Sequence, residues 1–423
     1  MQRHNWTEYL KPGYGFKRRL ALMVQGIALA TLGAKFLVDS MSRFVPVPRR
    51  VKQAFAWGPD WLRGILLMIS GSAATYYAWR SLSHEMAATL APEHANEDIG
   101  LTDLFYERKR QAVGRRVAVI GSGTGLIPVV RAFLLMDEPV NVTVILTSHE
   151  GGRIVSLLRD ELGLSGKQVL YPTGEHVSLW AELEDGTLLE GATAINQHDV
   201  REKAIRRIFY SRNVRRIKVW EETRGNLTAD VLSNYPPDVN PDALKAIQDA
   251  ELVVIAPGRL YTDILPTLTL PEIRRAVHHS GAKRVFVANI MTEPGKTDGF
   301  SVKDYLATLR QLAQITVDYV IANDAPISEE VLEKYRLEGA EPVRLRDEET
   351  GISRLVFADT GEQTVLVEGA VLITAPLITE TPQLIPYRDP ETGDIRMREM
   401  AIARHDPHRL KAVLAQIMRK ELV

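Results

Sequence analysis

The stretch Val117-Ala-Val-Ile-Gly121-Ser-Gly123-Thr-Gly125-Leu126 predicts a strand, a tight turn and a helix in direct succession. Four apolar residues predict a buried strand, and the apolar run from Leu126 to Met136 is compatible with a helix. A glycine-rich turn at the positive end of a helix exposes backbone N–H groups that bind phosphate. We therefore predict a phosphate site, and from it a nucleotide site, formed by Gly121, Ser122, Gly123, Thr124, Gly125 and Leu126.

A purely structural turn is the alternative interpretation of the same residues. The glycine spacing is G-x-G-x-G, whereas dinucleotide-binding folds carry G-x-G-x-x-G. Glycine also permits a tight connection between a strand and a helix that side chains would obstruct. Both interpretations are compatible with the sequence.

The composition narrows the class of protein. A chain of 423 residues is long enough for an α/β domain with further units. Its formal net charge of -1 provides no basic field that would attract nucleic acid, so we expect no nucleic-acid partner. Cysteine is absent, which excludes disulfides, thiolate nucleophiles and cysteine-based metal sites and fits a reducing compartment.

Two apolar runs near the N-terminus predict transmembrane helices at about 20–38 and 62–79. Each run approaches the ~20 residues that a helix needs to cross a bilayer, and basic and aromatic residues flank both. A pair of buried helices in a soluble hairpin is the alternative. We predict an N-terminal region 1–90 with two spans, a juxtamembrane linker 91–115 and a soluble domain 116–423.

The orientation in the membrane does not follow from charge, because Lys and Arg residues both precede the first run and occupy the loop behind it. Two spans place both chain ends on one side. A cysteine-free domain of nucleotide-binding type predicts that this side is the cytoplasm, and hence a multi-pass protein of the inner cell membrane.

The soluble domain alternates apolar strands with helical patterns, which predicts a doubly wound, mostly parallel, Rossmann-like sheet. The predicted strands are 140–146, 252–256, 284–289 and 317–322, and the predicted helices are 153–162, 241–250, 270–279 and 302–312. An inserted β-hairpin is predicted at 176–195 around Asp185-Gly186, with further strand at 203–220. Ligands of such sheets bind beyond the carboxyl ends of the strands.

Two loops at strand ends carry further candidate ligand-binding residues, which are Gly258, Arg259, Tyr261 and Thr262 in one loop and Asn289, Met291 and Thr292 in the other. Arg259 is suited to a bidentate contact with phosphate, and Thr262 to capping the next helix. Asn289 is suited to a base or a sugar. The alternatives are a capped loop with a solvated Arg259, and an Asn289 that only ties its loop together.

His149 and Glu150 follow the second predicted strand and complete the set of candidate ligand-binding residues. An acid after this strand contacts the ribose in dinucleotide folds, although Glu150 lies somewhat late for that role. Two adjacent residues are weak support for metal binding or acid–base work. We assign no catalytic residue, metal ligand or certain cofactor.

These motifs together resemble those of the YvcK-type gluconeogenesis factors (UPF0052), relatives of the CofD 2-phospho-lactate transferases. The matching segments are Ile120-Gly-Ser-Gly-Thr-Gly-Leu126, Leu179-Trp-Ala-Glu-Leu-Glu-Asp-Gly-Thr187, Ala256-Pro-Gly-Arg-Leu-Tyr-Thr262, Asn289-Ile-Met-Thr-Glu-Pro-Gly-Lys-Thr-Asp-Gly299 and Arg404-His-Asp-Pro-His-Arg-Leu410. The resemblance implies a CofD-like fold that binds a UDP-sugar such as UDP-N-acetylglucosamine. It also implies a regulatory link between carbon metabolism, cell-wall (peptidoglycan) synthesis and cell shape.

The chain resembles a membrane-anchored and shortened variant of that family. His149-Glu150-Gly151-Gly152 stands where the family usually has Asp-Asp-Gly-Gly, a long helical stretch is missing after Lys167, and Arg259 replaces a small serine. These departures favour a membrane-tethered nucleotide-sugar-binding regulator over an enzyme. The alternatives are a CofD-like phospholactyl or nucleotidyl transferase and an NAD(P)-dependent oxidoreductase. Expected partners are proteins that regulate or build the cell envelope, with a homo-oligomer of the chain as a further alternative.

Overall fold

A computed structural model describes residues 114–147, 152–212, 228–345, 353–356, 363–388 and 395–419 of the protein. All of them belong to one compact unit, 105–423. The predicted spans at 20–38 and 62–79 lie outside the described residues, as does nearly all of the predicted linker 91–115. In the part that is described, no helix has both the length and the apolar character needed to cross a bilayer.

The strands are β1 (Arg115–Ile120), β2 (Val140–Ile145), β3 (Val169–Leu170), β4 (Val177–Leu183), β5 (Leu188–Glu190), β6 (Ile205–Arg212), β7 (Leu252–Ile255), β8 (Lys283–Val287), β9 (Tyr319–Asn323), β10 (Ser353–Val356), β11 (Gln363–Val367), β12 (Ala370–Ala375), β13 (Ile378–Arg388) and β14 (Ile395–His405). The helices are α1 (Leu126–Leu134), α2 (Gly152–Ser156), α3 (Gly191–Gln197), α4 (Ala229–Ser233), α5 (Pro241–Gln248), α6 (Leu265–Leu268), α7 (Pro271–His279), α8 (Val302–Thr308), α9 (Glu329–Leu337) and α10 (Pro407–Arg419), with π-helical segments at Leu157–Glu161, Leu260–Ile264 and Leu309–Ala313.

A nine-stranded sheet in the order β10-β11-β12-β9-β8-β7-β1-β2-β3 forms the centre of the domain. From β3 to β12 neighbouring strands run parallel, and β11 and β10 extend that edge antiparallel. The chain proceeds from β1 to β2 and β3 on one side and then returns to β7 on the other side of β1. This reversal is the switch point at which ligands of such sheets bind. The prediction of a mostly parallel, Rossmann-like sheet is confirmed.

Hydrophobic cores on both faces of the sheet explain why β1 is apolar at four successive positions, Val117 to Ile120. In β1, Val117 and Val119 belong to one core, whereas Ala118 and Ile120 belong to the other. Successive side chains of a strand point to opposite faces, so a strand covered on both sides needs apolar residues at every position.

The predicted hairpin is present as β4 and β5, and β6 pairs with the other edge of β4 to give a three-stranded antiparallel sheet. The prediction that the hairpin continues to Ile195 is wrong, because α3 begins at Gly191. Gly191 has a φ of +87°, a conformation that ends an extended strand. Ile195 is thereby placed on the buried side of a helix.

The C-terminal elements fold back over the sheet. β13 and β14 form a separate antiparallel hairpin, and α10 packs against α1. Asp406 begins α10 by accepting hydrogen bonds from the backbone N–H groups of His408 (2.8 Å) and Arg409 (3.2 Å). The end of β14 is consequently held close to the carboxyl ends of the central strands.

Candidate functional site

An open cleft of about 480 Å³ lies at the switch point, beyond the carboxyl ends of β1, β7 and β8. This volume lies within the ordinary range for small-molecule sites. One wall consists of the loops after these strands, and the other consists of the end of α9 and the hairpin β13–β14. The lining residues are Thr124, Gly125, Pro128, Pro257, Gly258, Asn289, Ile290, Met291, Lys334, Tyr335, Glu338, Gln383, Ile402, Ala403, Arg404 and His405.

The three strand-end loops are joined directly to one another. The Asn289 side-chain amide donates to the Gly258 carbonyl at 2.9 Å, and the Gly258 N–H donates to the Asn289 side-chain oxygen at 3.1 Å. Gly125 packs against the Pro257 carbonyl so closely that a Cβ atom would lie 2.4 Å from that oxygen. Asn289 therefore ties its loop to the preceding one as well as lining the cleft.

Close packing accounts for the glycines of the first loop. Gly123 has a φ of +74°, and a Cβ atom on it would lie 2.8 Å from a carboxylate oxygen of Asp263. Gly125 meets the Pro257 backbone as described above. The structural interpretation thus explains the G-x-G-x-G spacing, and evidence for a ligand must come from the groups that face the cleft.

Backbone N–H groups at the start of α1 are such groups. The Gly121 N–H donates to the Ile145 carbonyl at 3.1 Å, whereas the N–H groups of Thr124 and Gly125 have no acceptor in the described part of the chain. No side chain caps α1, and no acidic residue lies in its first turn. Two donors at the positive end of a nine-residue helix therefore line the cleft.

The opposite wall of the cleft carries two cationic side chains, those of Lys334 and Arg404. Lys334 is only 7% exposed, and its ammonium lies 3.8 Å from a Glu338 carboxylate oxygen. Arg404 donates to the Gln383 side-chain oxygen at 2.9 Å. A buried ammonium with one loosely placed partner favours the approach of an anion.

His405 is the most unusual residue of the lining. Its side chain is buried, and its Nε2 atom, which is itself buried, has no hydrogen-bond partner among the residues that the structure describes. Burial lowers the pKa of His405 to about 4, while a contact with the backbone of Ala288 acts in the opposite direction. The imidazole is therefore uncharged at neutral pH.

Several predicted ligand residues are built into the protein instead of lining the cleft. Tyr261 and Thr262 are buried in the π-helical segment Leu260–Ile264, and the Thr262 hydroxyl donates to the Asn196 side-chain oxygen at 3.1 Å. The prediction that Thr262 caps a helix is wrong, since the residues at the helix starts here are Arg259 and Ile264.

Ser122 and Thr292 likewise connect segments of the chain. The Ser122 hydroxyl oxygen accepts hydrogen bonds from the backbone N–H (3.0 Å) and the hydroxyl (2.9 Å) of Thr147. The backbone N–H of Thr292 donates to the Glu341 carbonyl at 2.7 Å, and its hydroxyl accepts from the Glu341 N–H at 2.9 Å. Leu126 is fully buried in the core. Of the predicted ligand residues, Thr124, Gly125, Gly258, Asn289 and Met291 do line the cleft, whereas His149 and Glu150 lie outside the described residues.

A second group of charges, Arg259, Asp263, Glu293 and Lys296, lies on the other side of the glycine turn, and we call it the buried charge cluster. The Arg259 guanidinium Nε lies 3.5 Å from the buried Asp263 carboxylate, whose oxygen also accepts from the Arg259 N–H at 3.1 Å. Lys296 is buried and donates to the carbonyls of Asn196 (3.2 Å) and His198.

Glu293 is the member of this cluster whose pKa is raised by burial. Burial raises the pKa of Glu293 to about 7; Asp263 adds to the rise, while Arg259 and Lys296 oppose it. One of its carboxylate oxygens is buried without a hydrogen-bond partner. Two carboxylates and two cations thus share this side of the turn.

The amino-acid sequence of this chain is similar to those of several known proteins. A family model described as 2-phospho-L-lactate transferase CofD matches residues 165–357. A putative gluconeogenesis factor from Thermotoga maritima is 29% identical over 276 residues, which are 65% of this chain and 70% of that protein. A putative gluconeogenesis factor from Nostoc is 26% identical over 395 residues, 81% of this chain and 84% of that protein.

In sequence, the chain is similar to the gluconeogenesis factors and, over residues 165–357, to the CofD family. The gluconeogenesis factor of Bacillus subtilis, another relative, is 33% identical over 189 residues, 44% of this chain and 51% of that protein. A crystal structure of a upf0052 family member from Bacillus halodurans is 23% identical, covers 71% of this chain and 99% of its own, and gives a TM-score of 0.49.

Residues that the sequence did not single out as ligand contacts complete the cleft. Lys334 lies in a region without a recognised motif. Arg404 and His405 stand in a segment that matched the family, which was the available signal, but no ligand role followed from it. The CofD match includes the loops that carry Gly258 and Asn289 and ends before Arg404.

Proposed function

We propose that this protein is, like the gluconeogenesis factors it resembles, a regulatory protein, and that it binds a nucleotide sugar, UDP-N-acetylglucosamine or a close analogue, in the cleft. The observation that carries the proposal is the pairing of two donor-rich walls across one cleft at the switch point. The N–H groups of Thr124 and Gly125 form one wall, and Lys334 and Arg404 belong to the other. A diphosphate is the part of the ligand that such walls bind.

The lining favours binding over catalysis. Among its described residues the carboxylate is that of Glu338, which is paired with Lys334, and the imidazole of His405 is uncharged and buried. General acid–base catalysis needs a group that exchanges protons near neutral pH and reaches the substrate. The relatives are named as factors, which agrees with a regulatory role.

A transferase of the CofD type is the second candidate function. The family model that matches carries that activity in its description, and Glu293 has a pKa of about 7, which suits a general base. Turnover of a nucleotide-linked donor that is lost in Glu293→Gln would favour this candidate. An NAD(P)-dependent oxidoreductase is supported by the sheet topology alone.

The wider role belongs to the same proposal. We place the domain in the cytoplasm, tethered to the inner membrane by the predicted spans 20–38 and 62–79, where ligand binding would alter its contacts with cell-envelope proteins. Such a protein would link carbon metabolism to cell-wall synthesis and cell shape. Recovery of the full-length protein in the alkali-washed membrane fraction would support the tether, and its release by alkali would refute it.

Calorimetric titration of the full-length protein with UDP-N-acetylglucosamine tests the binding proposal. Lys334→Met removes the charge and keeps the apolar stem, and we expect a loss of affinity of about tenfold or more. Arg336→Gln is the matched control, because Arg336 lies on the same helix, is exposed and pairs with Glu329 on the surface. Absence of binding by the wild type, or equal affinities of wild type and Lys334→Met, would refute the proposal.

A further inference from the structure

The cleft contains a carboxylate on its cationic wall. Glu338 lines the cleft together with Lys334 and Arg404, and one of its carboxylate oxygens lies 3.8 Å from the Lys334 ammonium. The Glu338 side chain is 52% exposed, whereas the Lys334 side chain is almost completely buried. The negative partner of this ion pair is therefore the one that solvent and a ligand can reach freely.

The position of Glu338 on its helix is unfavourable for a negative charge. α9 ends at Leu337, so Glu338 directly follows it at the negative end of the helix dipole. In addition, a lysine that precedes its glutamate by four residues forms the weaker of the two i,i+4 ion pairs. The energetics of the helix therefore do not explain this carboxylate. Lys334 does explain it, because a buried ammonium without a counter-charge is costly.

We propose that Glu338 is a displaceable counter-ion, which neutralises Lys334 when no ligand is bound and gives way to the diphosphate of the ligand. The inference rests on the proposed nucleotide-sugar site and names a residue that sets its affinity. At 3.8 Å the carboxylate is too far from the ammonium for a hydrogen bond, so little is lost when the two separate. A phosphate oxygen can approach the ammonium to about 2.8 Å and form a stronger, charge-assisted hydrogen bond.

The displaced carboxylate also gives Glu338 a role in selectivity. It remains attached to the wall of the cleft, where it repels a bound anion, and this repulsion grows with the charge of the anion. Free pyrophosphate carries more negative charge than a diphosphate that is esterified at both ends, as in a nucleotide sugar. Glu338 therefore disfavours free pyrophosphate more strongly than a nucleotide sugar, although the helix N-terminus and the two cations attract both.

Calorimetric titration of the full-length protein with inorganic pyrophosphate and with UDP-N-acetylglucosamine tests the inference. Glu338→Gln keeps the size of the side chain and removes its charge. It should tighten the binding of pyrophosphate about tenfold and that of UDP-N-acetylglucosamine about threefold. Glu333→Gln is the matched control, because Glu333 is exposed on the same helix and does not line the cleft. Its affinities should stay within about twofold of the wild type.

The stability of the ligand-free protein tests the counter-ion role separately. Glu338→Gln leaves the buried ammonium of Lys334 without its partner and should lower the melting temperature by about 2 °C. In the background of Lys334→Met the same substitution should cause no loss, because the charge that Glu338 neutralises is then absent. The difference between the two backgrounds isolates the ion pair from the general effect of removing a charge.

The outcomes separate the inference from the proposed function. Unchanged or weaker binding of both ligands by Glu338→Gln, with wild-type binding of UDP-N-acetylglucosamine intact, would overturn the inference and leave the nucleotide-sugar site standing. A melting temperature that does not fall in Glu338→Gln would overturn the counter-ion role. Tighter binding of pyrophosphate without any binding of UDP-N-acetylglucosamine would support the inference and refute the nucleotide sugar. Absence of binding of either ligand by either protein would overturn both.

Discussion

The two sides of the glycine turn differ in what they present to a ligand. On the cleft side, Thr124 and Gly125 offer N–H groups that find no acceptor among the described residues, opposite Lys334. On the other side, Gly123 packs against the buried carboxylate of Asp263. The same short loop thus serves both as a lining of the cleft and as a tightly packed joint. The spacing of the glycines is explained by the close packing of the loop, whereas the charged groups around the loop indicate on which side a ligand would bind.

Electrostatics separates the two sides further. In the buried charge cluster, Arg259 and Lys296 already interact with the carboxylates of Asp263 and Glu293, and a phosphate there would also be repelled by these two carboxylates. A phosphate in the cleft meets helix N–H groups and two cations. We therefore expect substitutions in the cluster to affect stability, and substitutions in the cleft to affect ligand affinity.

The largest expected effect is on the packed joint. Gly125→Ala would place a Cβ atom 2.4 Å from the carbonyl oxygen of Pro257 and 3.0 Å from its carbonyl carbon. Both of these Pro257 atoms belong to the backbone, which cannot move aside as a flexible side chain could. Such overpacking should lower the free energy of unfolding by about 3 kcal/mol, measured by urea denaturation. Gly281→Ala is the control, because a Cβ atom there meets nothing within 4 Å. Equal stability of the two variants would show that the loop adjusts freely.

The substitution Glu293→Gln tests the buried charge cluster, because it changes how the stability of the protein depends on pH. The pKa of Glu293 is raised from 4.5 to about 7, so the folded state binds this proton more tightly than the unfolded state. The wild type should therefore lose stability as pH rises from 4.5 through 7, because ionisation of the buried carboxyl is unfavourable.

The glutamine variant lacks this loss. Allowing for partial solvent exposure, it should exceed the wild type by about 2 kcal/mol at pH 8, and the two should converge toward pH 4.5. Denaturation curves across this range measure the difference. A constant difference at every pH would mean that Glu293 does not titrate in this window.

Asn289 joins the two sides, and its removal should have an intermediate effect. Asn289→Ala loses both hydrogen bonds with Gly258 and leaves the Gly258 N–H without its acceptor. The expected loss of stability is about 1–2 kcal/mol. Asn289→Asp retains the acceptor and should lose less. Equal destabilisation in the two variants would indicate that the side-chain donor carries the contact.

The smallest expected effect comes from Arg259. Its side chain is 54% exposed, contacts Asp263 at 3.5 Å and does not line the cleft. Arg259→Gln should cost less than about 1 kcal/mol of stability and leave the affinity for UDP-N-acetylglucosamine nearly unchanged. A tenfold loss of affinity would instead indicate that the phosphate binds at the loop that carries Arg259.

Local patterns in the sequence were sufficient for the central fold. β7 is apolar at every position and β1 is apolar from Val117 to Ile120, because cores cover both faces of the sheet, and that burial is visible in the residues themselves. Asp185-Gly186 marks a hairpin for an equally local reason, since Gly186 adopts a φ of +83°. The order of the short motifs was enough to indicate the family.

Tertiary structure alone decided which side chains share the cleft. Lys334 and His405 are more than 200 positions from Thr124 along the chain and come close because α9 and β14 fold back over the carboxyl ends of the sheet. Thr262 turned inward because a π-helical segment directs it toward Asn196. Spacing along a chain encodes periodicity and turns, whereas contacts between distant segments depend on how whole elements pack.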